Sequence, residues 1–333
     1  MRFPIGFTMA QASHRARMQR LGRRRYPTVL MLEPLYTCNL ACIGCSVERH
    51  TGRLRDRMPL EKCFKAVDDC GAPIVNLCGG EPTLYPELPE LVSGLIDRGK
   101  YVLCCTNALK LDSKVFGVIP PHRQFYLMVH LDGMRETHDY VCSRPGVFDK
   151  AVEMIKEGKR RGYVVMINTT IFKETRVEEV EEMCRMAEEL EADGILLSPG
   201  YEYESVEADI FLTKEQIHEK FRAIRAFSHK YKINATPLFL EFAAGMRELP
   251  CAPWSTVNYT PQGWKAPCYL VGERYVEDWE EFWNNTNWEY WESRLDRRCQ
   301  NCKMHSGFEH SAVDEAMRTL RGKIELAMWS LSK

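Results

Sequence analysis

The sequence has no apolar run that approaches the roughly 18 to 20 residues needed to cross a bilayer. Its first apolar stretch, which ends at Phe7, is also too short for a secretory signal peptide. These absences argue against a membrane-spanning or secreted protein. We therefore expect a cytoplasmic location.

An excess of charge of either sign is missing as well. The 333 residues carry a formal net charge of -1 at pH 7, whereas a nucleic-acid-binding domain is normally strongly basic. Internal repeats and low-complexity segments are not found either. The composition therefore excludes nucleic acid as the expected partner and favours a small-molecule substrate.

Cysteine, by contrast, is plentiful, with 14 residues in the chain. In a reducing cytoplasm, thiols serve as metal ligands, small buried side chains or reactive groups more often than as a disulfide framework. The spacing of the cysteines is therefore the first feature to consider for function.

Between Tyr26 and about Tyr201, short apolar runs alternate with longer helical patterns, which is typical of βαβ units around a parallel sheet. Strands are predicted at 28–33, 74–78, 101–106, 125–131, 164–169 and 194–198. Helices are predicted at 60–70, 88–98, 147–161 and 177–190. Six strands are too few to close an eight-stranded barrel, so we expect an α/β fold with a TIM-like partial (β/α)6 barrel.

Three parts of the chain are predicted. Residues 1–25 form an N-terminal helical extension, and residues 26–232 form the partial barrel, including a last helix at about 213–231. Residues 233–333 are rich in aromatic residues and contain four cysteines, but their apolar periodicity is weak. We expect a small irregular domain there, organised by a metal centre.

Cys38, Cys42 and Cys45 follow directly on the first predicted strand as CxxxCxxC. Three thiolates can hold three irons of a 4Fe-4S cubane and leave the fourth iron open to a ligand such as S-adenosylmethionine (SAM). A zinc site would normally use paired CxxC knuckles and a fourth ligand, which this loop lacks. The motif therefore favours a site-differentiated cluster.

Gly79, Gly80 and Glu81 end the second predicted strand. The two glycines permit close backbone approach, and the carboxylate can receive an ammonium group. Other polar residues at strand ends should face a ligand crevice; these are Thr106, Asn107, His130, Asp132, Asn168 and Ser198. For His130, a buried structural histidine is an equally good interpretation.

A second cysteine set lies in the C-terminal region. Cys251, Cys268, Cys299 and Cys302 follow the pattern C-x11-G-x4-C and then CxxC. Four thiolates would close a metal site completely, either as an auxiliary 4Fe-4S cluster or as tetrahedral zinc. The context of the first motif favours the cluster.

In motif, placement and fold pattern the chain resembles the radical SAM superfamily, and its second cysteine set resembles the auxiliary-cluster domain called twitch or SPASM. This resemblance implies a 4Fe-4S cluster, SAM and an electron donor such as flavodoxin or ferredoxin. It also implies that Gly79, Gly80 and Glu81 hold the methionine part of SAM, with Asn168 and Ser198 as further SAM contacts.

A closer resemblance is to the hopanoid-pathway adenosylhopane synthase family. It is carried by Gly22-Arg-Arg-Arg-Tyr26-Pro, Leu30-Met-Leu-Glu-Pro34, Cys104-Cys105-Thr-Asn-Ala108, Val129-His-Leu-Asp-Gly133, Ser198-Pro-Gly-Tyr201 and Pro267-Cys-Tyr-Leu270. It implies that an adenosyl radical adds to the alkene of hopene and that Cys105 quenches the adduct. A thiol S–H bond is weak enough to donate hydrogen to a carbon radical, although Cys105 could also be a small apolar filler.

Two other functions remain open. The enzyme could abstract hydrogen from a nucleoside sugar acid and decarboxylate it, or the chain could be an iron-sulfur or zinc scaffold protein without turnover. A scaffold would have no need for the Gly79-Gly80-Glu81 turn. The basic run Arg20, Arg23, Arg24 and Arg25 is either a solvated face or a weak contact with anionic membranes.

Overall fold

Six parallel strands lie side by side in sequence order within the computed structural model, which describes residues 4–46 and 52–332. They are β1 (Val29–Leu32), β2 (Ile74–Leu77), β3 (Tyr101–Thr106), β4 (Phe125–His130), β5 (Val164–Ile171) and β6 (Gly194–Pro199). All six predicted strands are confirmed, and so is the α/β fold with a parallel sheet.

Helices lie before β1 and between these strands, where the longer ones cover the outer face of the sheet. They are α1 (Ile5–Arg20), which precedes β1, then α2 (Leu60–Cys70), α3 (Leu88–Asp97), α4 (Leu111–Lys114), α5 (Arg135–Val141), α6 (Val147–Arg160) and α7 (Val177–Glu189). In α6, buried Ala151 and Ile155 lie four residues apart on one face. The four predicted crossover helices are therefore confirmed.

Strand side chains alternate between two environments, as the pleat requires. In β1, Leu30 and Leu32 are fully buried in the core beneath the helices. Met31, between them, lines an internal cavity on the opposite face of the sheet. Alternation of this kind places polar and reactive side chains on the inner face without disturbing the outer core.

The amino ends of the strands are covered by α1. Its Phe7 packs against Tyr101 and Tyr126, with ring centroids 5.3 and 5.6 Å apart. Both tyrosines lie at the beginnings of their strands. The N-terminal extension is therefore part of the cavity wall.

The C-terminal region continues the same sheet. Strand β7 (Thr256–Thr260) pairs in parallel with β1, and β8 (Gly263–Pro267) and β9 (Gly272–Val276) follow in antiparallel order. The side-chain amide of Asn258 donates to the carbonyl oxygen of Met31 at 2.9 Å. Strands from both sides of the boundary expected at residue 232 thus belong to one continuous sheet.

Helices complete this region. They are α8 (Lys214–Phe227), α9 (Pro237–Ala243), α10 (Trp279–Asn285), α11 (Trp288–Glu292), α12 (His305–Met317) and α13 (Leu320–Leu331). This region contains a packed aromatic core, in which Trp264 is fully buried and stacks on Phe282 with centroids 5.5 Å apart; its organisation by a metal centre stays a prediction. Contacts between aromatic rings from separate elements leave no helical or strand period in the sequence.

The last helix, α13, differs from the others because none of its residues is buried. Its exposed apolar side chains are Leu320, Ile324, Met328 and Leu331. Among the residues that the structure describes, no helix combines the length and apolar character needed to cross a membrane.

The basic run after α1 is partly engaged within the protein. Arg25 donates to both carboxylate oxygens of Glu292, at 2.7 and 2.9 Å, and Trp254 donates its indole N–H to Glu292 at 2.7 Å. Arg24 is largely exposed. Arg25 therefore connects the N-terminal extension to α11, and the membrane interpretation of the run stays a prediction for the other arginines.

We predict that Glu292→Ala lowers the free energy of unfolding by about 2 kcal/mol, because it leaves Arg25 and Trp254 without their acceptor. Urea denaturation of the apoprotein, followed by circular dichroism, measures this change. The matched control is Glu289→Ala, since Glu289 is 83% exposed and 3.8 Å from Arg25. It should change the free energy by less than about 0.5 kcal/mol. Equal effects of the two substitutions would contradict the prediction.

Candidate active site

A cavity of about 660 Å³ extends inside the sheet from the carboxyl ends of the strands to α1. This volume lies within the range of small-molecule sites. It is lined by every residue predicted for the first cluster, for SAM and for hydrogen donation, namely Cys38, Cys42, Cys45, Gly79, Gly80, Glu81, Cys105, Asn107, His130, Asn168 and Ser198. The structure thus brings together residues from six strand ends.

The cluster loop follows β1 and carries the three thiols. The backbone N–H of Leu40 lies 3.4 Å from Cys38 Sγ, and Ile43 N donates to the carbonyl oxygen of Val141 at 2.9 Å. Burial raises the pKa of the Cys38 thiol to about 12, so a thiolate here needs a nearby positive charge such as iron supplies. Residues 47–51, which follow the loop, lie outside the described residues.

The two glycines after β2 press against this loop. A Cβ added to Gly80 would overlap the carbonyl oxygen of Thr37, and a Cβ on Gly79 would lie 2.5 Å from the carbonyl oxygen of Leu35. Gly79 also has a φ of 105°, which strongly favours glycine. In this structure the glycines therefore permit close approach between the β2 turn and the cluster loop.

Glu81 connects the ends of β2 and β3. Its buried carboxylate accepts the Thr83 and Thr106 hydroxyls at 2.6 and 2.7 Å and the Asn107 backbone N–H at 2.9 Å. Burial raises the pKa of Glu81 above its ordinary value, although these hydrogen bonds oppose the shift. Its contact with the ammonium group of SAM stays a prediction, and its internal bonds give it a positioning role.

His130 forms a pair with Asp132, the other polar residue that the sequence places at the end of β4. Its Nε2 lies 2.6 Å from Asp132, and Asp132 also accepts the Thr170 backbone N–H at 2.8 Å. Burial disfavours the imidazolium, but the Asp132 carboxylate raises the pKa of His130 above its ordinary value. The only sequence signal for this pair was the spacing of two residues at the end of β4.

Cys105 faces the cavity from β3 and donates to Asn76 Oδ1, with Sγ and oxygen 3.0 Å apart. Burial raises the pKa of the Cys105 thiol to about 12, so the sulfur keeps its hydrogen at neutral pH. Asn76 was missed by sequence reasoning. Its signal was a single amide inside the otherwise apolar strand β2.

Ser198 and Asn107 both make contacts beyond the cavity surface. Ser198 Oγ accepts the backbone N–H of His305 at 3.1 Å, which connects β6 to the start of α12. The Asn107 side-chain amide donates to Asn39 of the cluster loop at 2.8 Å. The SAM contacts expected of these residues stay predictions.

The second cysteine set surrounds a smaller cavity, lined by Cys251, Cys268, Cys299 and Cys302. Tetrahedral zinc, with Zn–S distances of about 2.3 Å, would draw its sulfurs to within roughly 4 Å of one another. Within residues 4–46 and 52–332, no three ligand-type side chains converge closely enough to share one metal ion. Four thiols around one cavity could hold an auxiliary four-iron cluster, and the choice between that cluster and zinc stays a prediction.

Positive side chains lie beside this second cavity. The guanidinium of Arg294 donates to the carbonyl oxygens of Cys299 and Cys302 at 2.9 and 3.0 Å. Lys303 is buried next to Cys302 and donates to the carbonyl oxygen of Phe242 at 2.9 Å. Such charges offset the negative charge that four thiolates bring to a metal centre.

Two family models match separate parts of the chain. Residues 32–187 match the radical SAM superfamily, and residues 195–326 match a domain of unknown function, DUF3463. The first match contains both the cluster loop and the Gly79-Gly80-Glu81 turn.

Curated proteins show the same likeness. The chain is 29% identical over 140 residues to the Fe-coproporphyrin III synthase of Methanosarcina barkeri, covering 41% of this chain and 35% of that protein. It is 26% identical over 167 residues to the mycofactocin maturase MftC of Mycobacterium tuberculosis, covering 48% of this chain and 42% of that protein. The chain thus spans less than half the length of these relatives.

Solved structures share the fold. SuiB of Streptococcus suis bound to S-adenosylmethionine superimposes with a TM-score of 0.67 at 15% identity, over 94% of this chain and 79% of that one. The enzyme anSMEcpe with bound AdoMet gives a TM-score of 0.54 at 16% identity, over 91% and 97% of the two chains. Residues 32–187 of this chain are thus similar to the radical SAM superfamily, and the chain shares its fold with these solved structures.

Proposed function

We propose that this chain cleaves SAM reductively and directs the 5'-deoxyadenosyl radical onto an alkene of a largely apolar small molecule, as its resemblance to adenosylhopane synthase implies. A bound 4Fe-4S cluster supplies the electron for the cleavage. Cys38, Cys42 and Cys45 would hold that cluster, and Gly79, Gly80 and Glu81 shape the adjoining SAM pocket. The curated relatives are named for other molecules. The alkene as the target of the radical is therefore inferred from the sequence resemblance and the cavity wall alone.

The observation that carries the proposal is the composition of the inner cavity wall. Below the polar strand ends, the inner faces of β1 to β6 present only apolar side chains apart from Asn76 and Cys105, whereas α1 contributes the polar residues Thr8, Gln11, Arg15 and Gln19 as well as Phe7. These apolar residues include Phe7, Met31, Leu103, Met128, Met166 and Leu196. Such a wall favours a substrate that has a substantial apolar body.

The structure favours radical addition over decarboxylation of a sugar acid. A carboxylate substrate needs a cationic partner to offset its desolvation. Among the described residues that line the cavity, Arg15 is the one arginine, and no lysine does so. Arg15 lies on α1, and its guanidinium is already paired with the carboxylate of Asp314.

Hydrogen donation from Cys105 completes the proposed reaction. Addition of the adenosyl carbon to an alkene forms one C–C bond and leaves a substrate carbon radical. The Cys105 S–H bond then breaks, its hydrogen atom forms a C–H bond, and a thiyl radical remains. One electron from the donor that serves SAM cleavage and one proton from solvent restore the thiol. Asn76 accepts the thiol hydrogen in the resting state and so orients it.

The first prediction for this function concerns the cluster thiols. Alanine at Cys38, Cys42 or Cys45 should abolish SAM cleavage, because two thiolates cannot hold the site-differentiated cluster. The assay is formation of 5'-deoxyadenosine or its adduct by anaerobically reconstituted protein. Cys184→Ala, which changes a buried thiol on α7, is the control and should cleave normally. Near-normal cleavage in all three variants would refute the central assignment.

The second prediction concerns the C-terminal cysteines. A triple variant with Cys38, Cys42 and Cys45 replaced by alanine should still bind iron and sulfide at Cys251, Cys268, Cys299 and Cys302. Iron and acid-labile sulfide analysis measures the content of this second centre. Zinc without sulfide would support the structural alternative instead.

The third prediction separates the reaction types. Cys105→Ala should preserve SAM cleavage but divert the adduct radical, giving oxidised or unsaturated adenosylated products by mass spectrometry. Cys104→Ala is the matched control, because Cys104 is fully buried on the opposite, helix-facing side of β3. An unchanged adenosylated product from Cys105→Ala would exclude hydrogen donation. A wild-type product without the adenosyl group would exclude addition.

A further inference from the structure

A chain of hydrogen bonds runs from the backbone at the end of β4 to the end of α5, which packs against the cluster loop. The backbone N–H of Asp132 donates to His138 Nδ1 at 3.1 Å. Because Nδ1 accepts, the ring proton must lie on Nε2. Nε2 is 3.5 Å from Cys142 Sγ, so the ring donates to that sulfur.

His138 and Cys142 are both almost completely buried, at 1% and 2% exposure. His138 lies within α5, and Cys142 directly follows the last residue of that helix. The two are four positions apart, so their side chains are on one helical face. Burial also lowers the pKa of His138 to about 4. The imidazole is therefore neutral at physiological pH and has a single N–H donor, which is directed at Cys142.

Cys142 also contacts the cluster loop. It packs with Leu40 and Val147 in an apolar cluster that Cys38 and Cys42 adjoin. The bond from Ile43 N to the carbonyl oxygen of Val141 keeps the loop against this end of α5. Since His138 occupies the acceptor side of the Cys142 sulfur, the Cys142 S–H is free to point at Cys42.

We propose that Cys142 donates an S–H hydrogen bond to the sulfur of Cys42 and thereby raises the reduction potential of the SAM-binding cluster, with His138 orienting the donor. A hydrogen bond to a ligand sulfur stabilises the additional negative charge of the reduced cluster. This inference rests on the proposed role of Cys42 as a ligand. Cys142 is a positioning residue, because it acts on the cluster through Cys42.

The test is a reductive titration of the reconstituted full-length protein, followed by electron paramagnetic resonance. The cluster that binds SAM is identified by the change in its reduced spectrum when SAM is added, which separates it from a second cluster. Cys142→Ala and Cys142→Val, which lack a donor, should shift its midpoint potential to more negative values. Cys142→Ser keeps a donor and should remain near wild type, as should the buried-thiol control Cys184→Ala.

The outcomes decide between this proposal and the one on which it rests. An unchanged midpoint in the alanine and valine variants would make Cys142 a packing residue. Failure of both to hold a cluster, with the serine variant also empty, would assign Cys142 to assembly and would likewise refute the tuning role. If Cys42→Ala kept a SAM-responsive cluster, the ligand assignment itself would fail, whatever the Cys142 variants showed.

Discussion

The close backbone contact between the β2 turn and the cluster loop is the constraint on which the site depends. Gly80 lies so near Thr37 that any side chain would displace the loop. Two backbone bonds reinforce this contact, from Gly80 N to the carbonyl oxygen of Leu35 and from Glu81 N to that of Thr37. With the loop fixed in this way, Glu81 can extend the same arrangement to β3, and the three thiols meet the polar strand ends in one cavity.

From the carboxyl ends of the strands toward α1, the side chains on the inner face of the sheet change from polar to mainly apolar. Near the strand ends it presents the hydrogen-bonded groups of Glu81 and of the His130–Asp132 pair. Deeper in, it presents methionine and leucine side chains, interrupted by Asn76 and Cys105. A polar cofactor and an apolar substrate could therefore occupy successive levels of one cavity, with the thiol at the boundary between them.

Local patterns were sufficient to predict the six strands, their crossover helices and the grouping of the strand-end residues. They succeeded because parallel strands with buried faces leave continuous apolar runs, and because their carboxyl ends meet at one edge. Sequence could not predict that Asn76 meets Cys105, since this contact depends on the register between β2 and β3. The aromatic core around Trp264 escaped as well, because its rings come from several separate elements and so leave no single period in the sequence.

The position of β1 has a consequence for handling this protein in pieces. Met31 is paired on one side with Asn76 of β2 and on the other with Asn258 of β7. A fragment cut after the first family match, at residue 187, would leave one side of β1 without a neighbour. Unpaired strand edges of this kind recruit other chains and promote aggregation. The same edge of β1 remains unpaired during synthesis until β7 has left the ribosome. The central strand of the sheet therefore gains its second neighbour only when the last quarter of the chain is being made.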